Sequence, residues 1–184
     1  PYWVCLPIHL RNAVSVYEPF WICWDDDKKE SWIRDLPKNA IHDQNYFPFF
    51  HKGMEFEEFV PLFGLWYGEG KPCACFVGIR TDESLNRFRT IAGTTKETHN
   101  GNKWTTLVEE TLYNIYPIYD WKTQDIWTFH GKTGLCYNLL YDLMYKAGLT
   151  SHQARICQPY GDDQRRGLWL FHLIEPETWA SVVA

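Results

Sequence analysis

The apolar positions of this chain alternate between short runs that suit strands and longer stretches with helical spacing. CACFVGI (73–79) and LYNIYPI (112–118) are continuous apolar runs closed by turn signals, the pattern of strands buried in a sheet. YWVCLP, at the start of the chain, reads the same way. Met54, Phe56, Phe59, Val60, Phe63 and Trp66 recur near helical spacing and predict a helix over 54–68. Pro61 requires that this helix start close to residue 60 or kink there. YNLLYDLMYKA (137–147) predicts a second helix, stopped by Gly148. DDQRRGLWLFHLI (162–174) predicts a third, with two aspartates suited to its positive end. Glu175 and Pro176 then break it, and ETWASVV begins another. Segments 19–53 and 92–106 carry neither period and read as polar-aromatic loops.

Strand followed by helix, repeated, predicts an α/β fold: a mostly parallel sheet with flanking helices. In such sheets ligands bind beyond the carboxyl ends of the strands. No internal repeat or domain boundary is visible, so the 184 residues read as a single domain, 1–184.

Composition narrows the function class. With 45% hydrophobic and 22% charged residues the chain is globular, and the 17% aromatic share supplies core and possible stacking surfaces. A net charge of −5 and a pI near 5.8 exclude bulk electrostatic binding to nucleic acid but leave room for a local basic pocket. No run approaches the roughly 18 apolar residues of a membrane helix, and no signal peptide is recognisable. The six cysteines include no Cys-x-x-Cys pair, so small buried hydrophobes in a reducing, cytoplasmic setting are expected. No histidine spacing suits a metal, and neither a Walker nor a Rossmann phosphate loop occurs.

The chemistry concentrates after the first long apolar run, in VGIRTDESLNRFRT (77–90). Arg80 follows the strand directly and should stand at the carboxyl end of the sheet. Thr81 or Asp82 is placed to cap the next helix, and Glu83 to occupy its first turn. Arg87 lies four residues beyond Glu83, so the two can pair, and Arg89 falls off that face. A surface ion pair accounts for Glu83 and Arg87, whereas Arg80 at a strand end suits planar recognition of phosphate or sulfate oxygens. In PIYDWKTQDIW (117–127), Asp120 ends a strand where a capping role is the simplest reading, and Trp121 is core or a stacking platform. In ICQPYGDDQRRGLW (156–169), a Gly turn feeds a predicted helix start. Its two aspartates can bind arginines, ribose hydroxyls or Mg2+.

Together, VGIRTDESLNR, YPIYDWKTQDIW and ICQPYGDDQRRGLW resemble the phosphoadenosine phosphosulfate (PAPS) reductase and ATP sulfurylase small-subunit superfamily. With WVCLPIHLRNAVS and WICWD they resemble a subgroup described as PAPS sulfotransferase-like. The resemblance implies an adenine nucleotide alpha-hydrolase-like fold and an adenine nucleotide, ATP or PAPS, as ligand and substrate, with Mg2+ as a possible companion ion. It implies that Arg80 and Arg87 are the catalytic, anion-binding arginines, oriented by Asp82 and Glu83, with Arg89 added. It also implies that Asp120 and Trp121 shape the neighbouring strand end, and that Gly161, Asp162 and Arg165 form a turn near the nucleotide. The family's Ser-Gly-Gly-x-Asp-Ser phosphate loop is not among these residues, and Pro1 stands where no initiator Met is present. The chain is therefore expected to be a C-terminal portion of a larger nucleotide-binding domain. An upstream segment or a partner chain is expected to supply that loop. The cysteine set of an iron–sulfur cluster and the reductase's cysteine tail are absent from the sequence, so no such cluster is expected. The expected activity is adenylyl, sulfuryl or sulfur transfer, and the alternative is a non-catalytic regulatory or interaction module that keeps the fold.

Overall fold

A computed structural model describes residues 1–155, 160–161 and 168–183, and within them places five strands and six α-helices. They fall into two compact units, Pro1–Phe59 with Asn138–Ala184, and Val60–Tyr137.

The unit Val60–Tyr137 is built on a three-stranded sheet in the order β3-β5-β4. β3 (Cys73–Phe76) and β5 (Leu112–Ile115) are parallel, with Cys73 opposite Leu112 and Phe76 opposite Ile115. β4 (Thr105–Glu109) lies antiparallel on the far side of β5. The α/β expectation holds, and the parallel pair is the part that positions the site. The antiparallel β4 was not foreseen, because Thr105 and Thr106 look like a continuation of the polar loop before them. Only Glu110 and Thr111 separate β4 from β5, and so short a connection joins antiparallel neighbours.

Both apolar runs yield shorter strands than predicted. β5 stops at Ile115 because Pro117 has no N–H to give a neighbour and 117–120 turn. β3 stops at Phe76, although Val77 N–H still donates to the Ile115 carbonyl at 2.9 Å. The helix α1 (Phe56–Gly68) starts ahead of residue 60 and keeps Pro61 inside it. The proline leaves one carbonyl of the first turn without its usual partner. Gly64 explains how closely this helix meets the sheet. A Cβ built there would lie 2.6 and 2.7 Å from the two δ-methyls of Leu112, which is 1% exposed. α2 (Leu85–Ala92) and α3 (Thr123–Thr133) follow β3 and β5 respectively.

In the other unit, β1 (His9–Arg11) and β2 (Phe20–Ile22) form an antiparallel pair. YWVCLP is not a strand; it makes a single isolated parallel bridge, between Val4 and Ile41. The 19–53 segment, read as loop, contributes β2 and a set of aromatic rings. Phe47, Phe49 and Phe50 surround Phe59 with centroids 5.6, 5.6 and 6.1 Å away. Leu6, Phe47 and Met54 are each 1% exposed at this core. Lys52 Nζ sits between Asp25 Oδ1 at 2.6 Å and Asp27 Oδ2 at 2.7 Å. The hydrogen bond from Lys52 holds the Asp25 carboxyl below its ordinary range.

The helices α4 (Leu140–Lys146), α5 (Leu168–Ile174) and α6 (Pro176–Val183) complete this unit. α4 is shorter than its 137–147 pattern, with Asn138 Oδ1 accepting from Leu140 N–H at 3.0 Å. Pro176 opens α6 at a position where a missing N–H costs nothing.

Candidate functional site

The loops that leave β3 and β5 emerge at the carboxyl ends of a parallel pair and are fastened to each other. The Thr81 N–H and the Thr81 hydroxyl both donate to the Tyr119 carbonyl, each at 2.9 Å. This fastening carries the pairing of β3 and β5 past the last strand residues and fixes where the charged side chains start.

Arg80 lies between the two loops with its side chain 12% exposed. Its Nε donates to Glu83 Oε1 at 3.2 Å, Nη1 to the Trp121 carbonyl at 3.3 Å and Nη2 to Thr123 Oγ1 at 3.4 Å. Asp82 Oδ2 stands 3.7 Å from Nη1. All three guanidinium nitrogens therefore face protein atoms, as expected for a positive charge held away from water. Glu83 uses its second oxygen, Oε2, on Arg87 Nη1, so one carboxylate spans two guanidinium groups. Arg87 is 49% exposed and keeps its outer face in solvent. Arg89, two residues further along α2 and off the face of Arg87, is exposed and makes no side-chain bond among the described residues.

The helix caps differ from the expected ones. α2 is capped by Ser84, whose hydroxyl accepts from Arg87 N–H at 3.2 Å, rather than by Thr81 or Asp82. Glu83 consequently precedes the helix instead of sitting in its first turn. Thr81 is occupied with Tyr119, and Asp82 reaches across to α3. There, Asp82 Oδ2 accepts from Thr123 N–H at 3.1 Å and from the Thr123 hydroxyl at 3.4 Å. Asp125 Oδ2 accepts from Lys122 N–H at 2.8 Å at the same helix start. Two carboxylates thus already serve the positive end of α3. Asp120 does not cap this helix. It is exposed and its carboxylate makes no bond among the described residues. Trp121 is half-buried, with its ring 5.6 Å from that of Phe129.

Of the third group, Gly161 belongs to the other unit, where it is buried next to Tyr160. The Tyr160 ring lies 4.8 Å from that of Trp21. Asp162 and Arg165 lie outside the described residues. Sequence reasoning missed Ser84 and Thr123 as working residues, although both lie inside the stretches that looked informative.

The five cysteines among the described residues are free, and Cys136 is exposed rather than buried as expected. Burial pushes the Cys5, Cys23 and Cys75 thiols up, away from reactive thiolate. No group of His, Cys, Asp or Glu among the described residues is arranged to hold a metal ion. No helix among them is long and apolar enough to cross a membrane.

Residues 64–147 match the family model of the phosphoadenosine phosphosulfate reductase domain. That segment is PAPS reductase-like. It contains the whole arginine loop, β5 and the DWKTQD turn, so the fastened strand ends lie inside the matched part. The match supports a nucleotide-binding module of the sulfur-metabolism type. The chain is also similar to the uncharacterized protein YbdN of Escherichia coli (strain K12). They are 46% identical over 185 residues, covering 100% of this chain and 45% of YbdN. The chain thus spans under half the length of that relative. No solved structure matches it significantly.

Proposed function

We propose that the carboxyl ends of β3 and β5 form the anion-binding part of an adenine-nucleotide site, taking ATP or PAPS, in an enzyme of adenylyl, sulfuryl or sulfur transfer. The observation that carries this reading is the Glu83 carboxylate held between Arg80 and Arg87 at the end of a parallel strand pair. Two guanidinium groups, Arg80 and Arg87, share the Glu83 carboxylate, Asp82 stands beside Arg80, and Arg87 keeps an exposed side toward solvent. A planar guanidinium with a free outer edge suits a phosphate or sulfate.

On this reading Arg87 meets the transferred group, Arg89 adds positive charge on the same helix, and Arg80 stiffens the loop that presents Arg87. They act electrostatically, neutralising charge that builds on the group as it moves, rather than as acid or base. Asp120 and Trp121 flank the same strand end. The phosphate loop of the family comes from sequence beyond these residues or from a partner chain. The free cysteines support a reducing, cytoplasmic setting.

The test is calorimetric titration of the intact protein with ATP, adenylyl sulfate and PAPS. At least one should bind, and Arg87→Ala should weaken it about tenfold or more, the loss expected for a charge-assisted contact. No heat with any of the three, or binding undiminished in Arg87→Ala, overturns the reading. Binding without turnover would instead favour the regulatory-module alternative.

A further inference from the structure

The loop after β3 and the start of α3 are joined at one side chain. Thr123 Oγ1 accepts from Arg80 Nη2 at 3.4 Å and donates to Asp82 Oδ2 at 3.4 Å, and Thr123 N–H donates to the same Asp82 oxygen at 3.1 Å. A hydroxyl can accept from a cation and donate to an anion at the same time, which neither a methyl nor an ammonium can do. From Arg80 the chain of contacts continues through Glu83 Oε1 and Oε2 to Arg87 Nη1. Arg87 is therefore held by a series of polar contacts that ends at Thr123, on another element. Arg80, with every nitrogen turned toward protein, acts within that series.

We propose that Thr123 is the positioning residue of this site: its hydroxyl joins the Arg80 guanidinium to the Asp82 carboxylate and, through Glu83, sets where Arg87 presents its guanidinium to an anionic ligand. The proposal rests on the reading that these strand ends bind an adenine nucleotide. It adds a residue that touches no ligand and assigns Arg80 to the same supporting role.

A double-mutant cycle separates positioning from simple loss of stability, because a fold defect lowers binding by the same factor in every background while a shared contact does not. Titration of the intact protein with ATP, or with whichever of ATP, adenylyl sulfate and PAPS binds best, reads the affinity. Thr123→Val, which keeps the shape and removes the hydroxyl, should weaken binding about threefold to tenfold, the range of one lost hydrogen bond. Thr123→Ser should restore it to within about twofold of the wild type.

Arg87→Lys keeps the charge but loses the planar fork. In that background Thr123→Val should cost less than about twofold, since the geometry it protects is already gone. Asp82→Asn provides a second entry to the same cycle should Thr123→Val fold poorly, and the same loss of additivity is expected. If Arg87→Lys weakens binding but Thr123→Val is silent, or its factor persists unchanged beside Arg87→Lys, Thr123 is not a positioning residue and the proposal falls alone. If no nucleotide binds, or Arg87→Lys leaves affinity unchanged, the nucleotide reading itself falls.

Discussion

Replacing Glu83 with glutamine removes one negative charge from between two guanidinium groups and leaves the side chain's shape intact. The two sides of the bridge contribute unequally. Toward Arg80 the partners are 12% and 20% exposed, so water screens the pair little. Losing a charge-assisted hydrogen bond in such a place costs about 1.5–3 kcal/mol. Toward Arg87, which is 49% exposed, the i,i+4 pair adds only about 0.3–0.5 kcal/mol. The combined loss is about 2–3.5 kcal/mol. For a chain of this size each kcal/mol moves the melting midpoint about 2–4 °C, so Glu83→Gln should melt about 4–14 °C lower. Thermal unfolding followed by far-UV circular dichroism reads this, with Glu97→Gln, an exposed glutamate of the same unit, as the control. A midpoint within about 1 °C of that control would mean that the bridge carries no stability, and the argument that Glu83 holds Arg80 in place would be refuted.

Two further outcomes follow from other parts of the molecule. Gly64→Ala should destabilise the protein by about 1 kcal/mol in urea unfolding: forcing a methyl against buried Leu112 costs about 1–3 kcal/mol, and the better helix propensity of alanine returns about 1. A stabilised variant would show that α1 and β5 are not closely packed there. Asp25→Asn should remove part of the acid dependence of stability. A carboxyl whose folded pKa is depressed adds stability above the ordinary value of about 3.9 and loses it as pH falls through the lower folded value. Urea midpoints of wild type and variant should therefore differ near neutral pH and converge as pH falls through the depressed folded value, and a gap that stays constant as the pH is lowered rejects the Lys52–Asp25 account.

The sequence disclosed the parts of the fold whose signal is local. The continuous runs 73–79 and 112–118 yielded β3 and β5, and the Arg80 position at a strand end followed from them. β4 was hidden, because its partner is a neighbouring strand and its first residues are polar, so no periodicity marks it. The caps were legible in type but not in position. Ser84, Thr81 and Asp82 all suit an N-cap, and the choice was settled by the fastening of Thr81 to Tyr119 and of Asp82 to Thr123. These partners lie 38 and 41 residues away along the chain, beyond the reach of any local pattern. For the same reason Arg80 read as a free ligand arginine: its surroundings are supplied by Trp121 and Thr123, which only folding brings near.

The net charge of the chain also hides how its charge is divided. The unit Val60–Tyr137, which holds the arginine cluster, contains eight basic and eight acidic residues and is neutral, so the whole −5 belongs to the other unit. A neutral unit whose guanidinium groups are largely matched by their own carboxylates has no extended basic face for a polyanion. Binding a nucleic-acid backbone takes about 6–10 phosphate contacts. A single nucleotide asks for far less. One guanidinium with a free outer edge, oriented by a bridged carboxylate, can hold one phosphate or sulfate in a bidentate geometry. The same division predicts a weak salt dependence for nucleotide binding, since only the exposed side of Arg87 and the side chain of Arg89 lie open to screening by ions. The acidic composition of the chain and an arginine-based anion site are thus compatible, because the site needs local orientation of one or two charges rather than an excess of them.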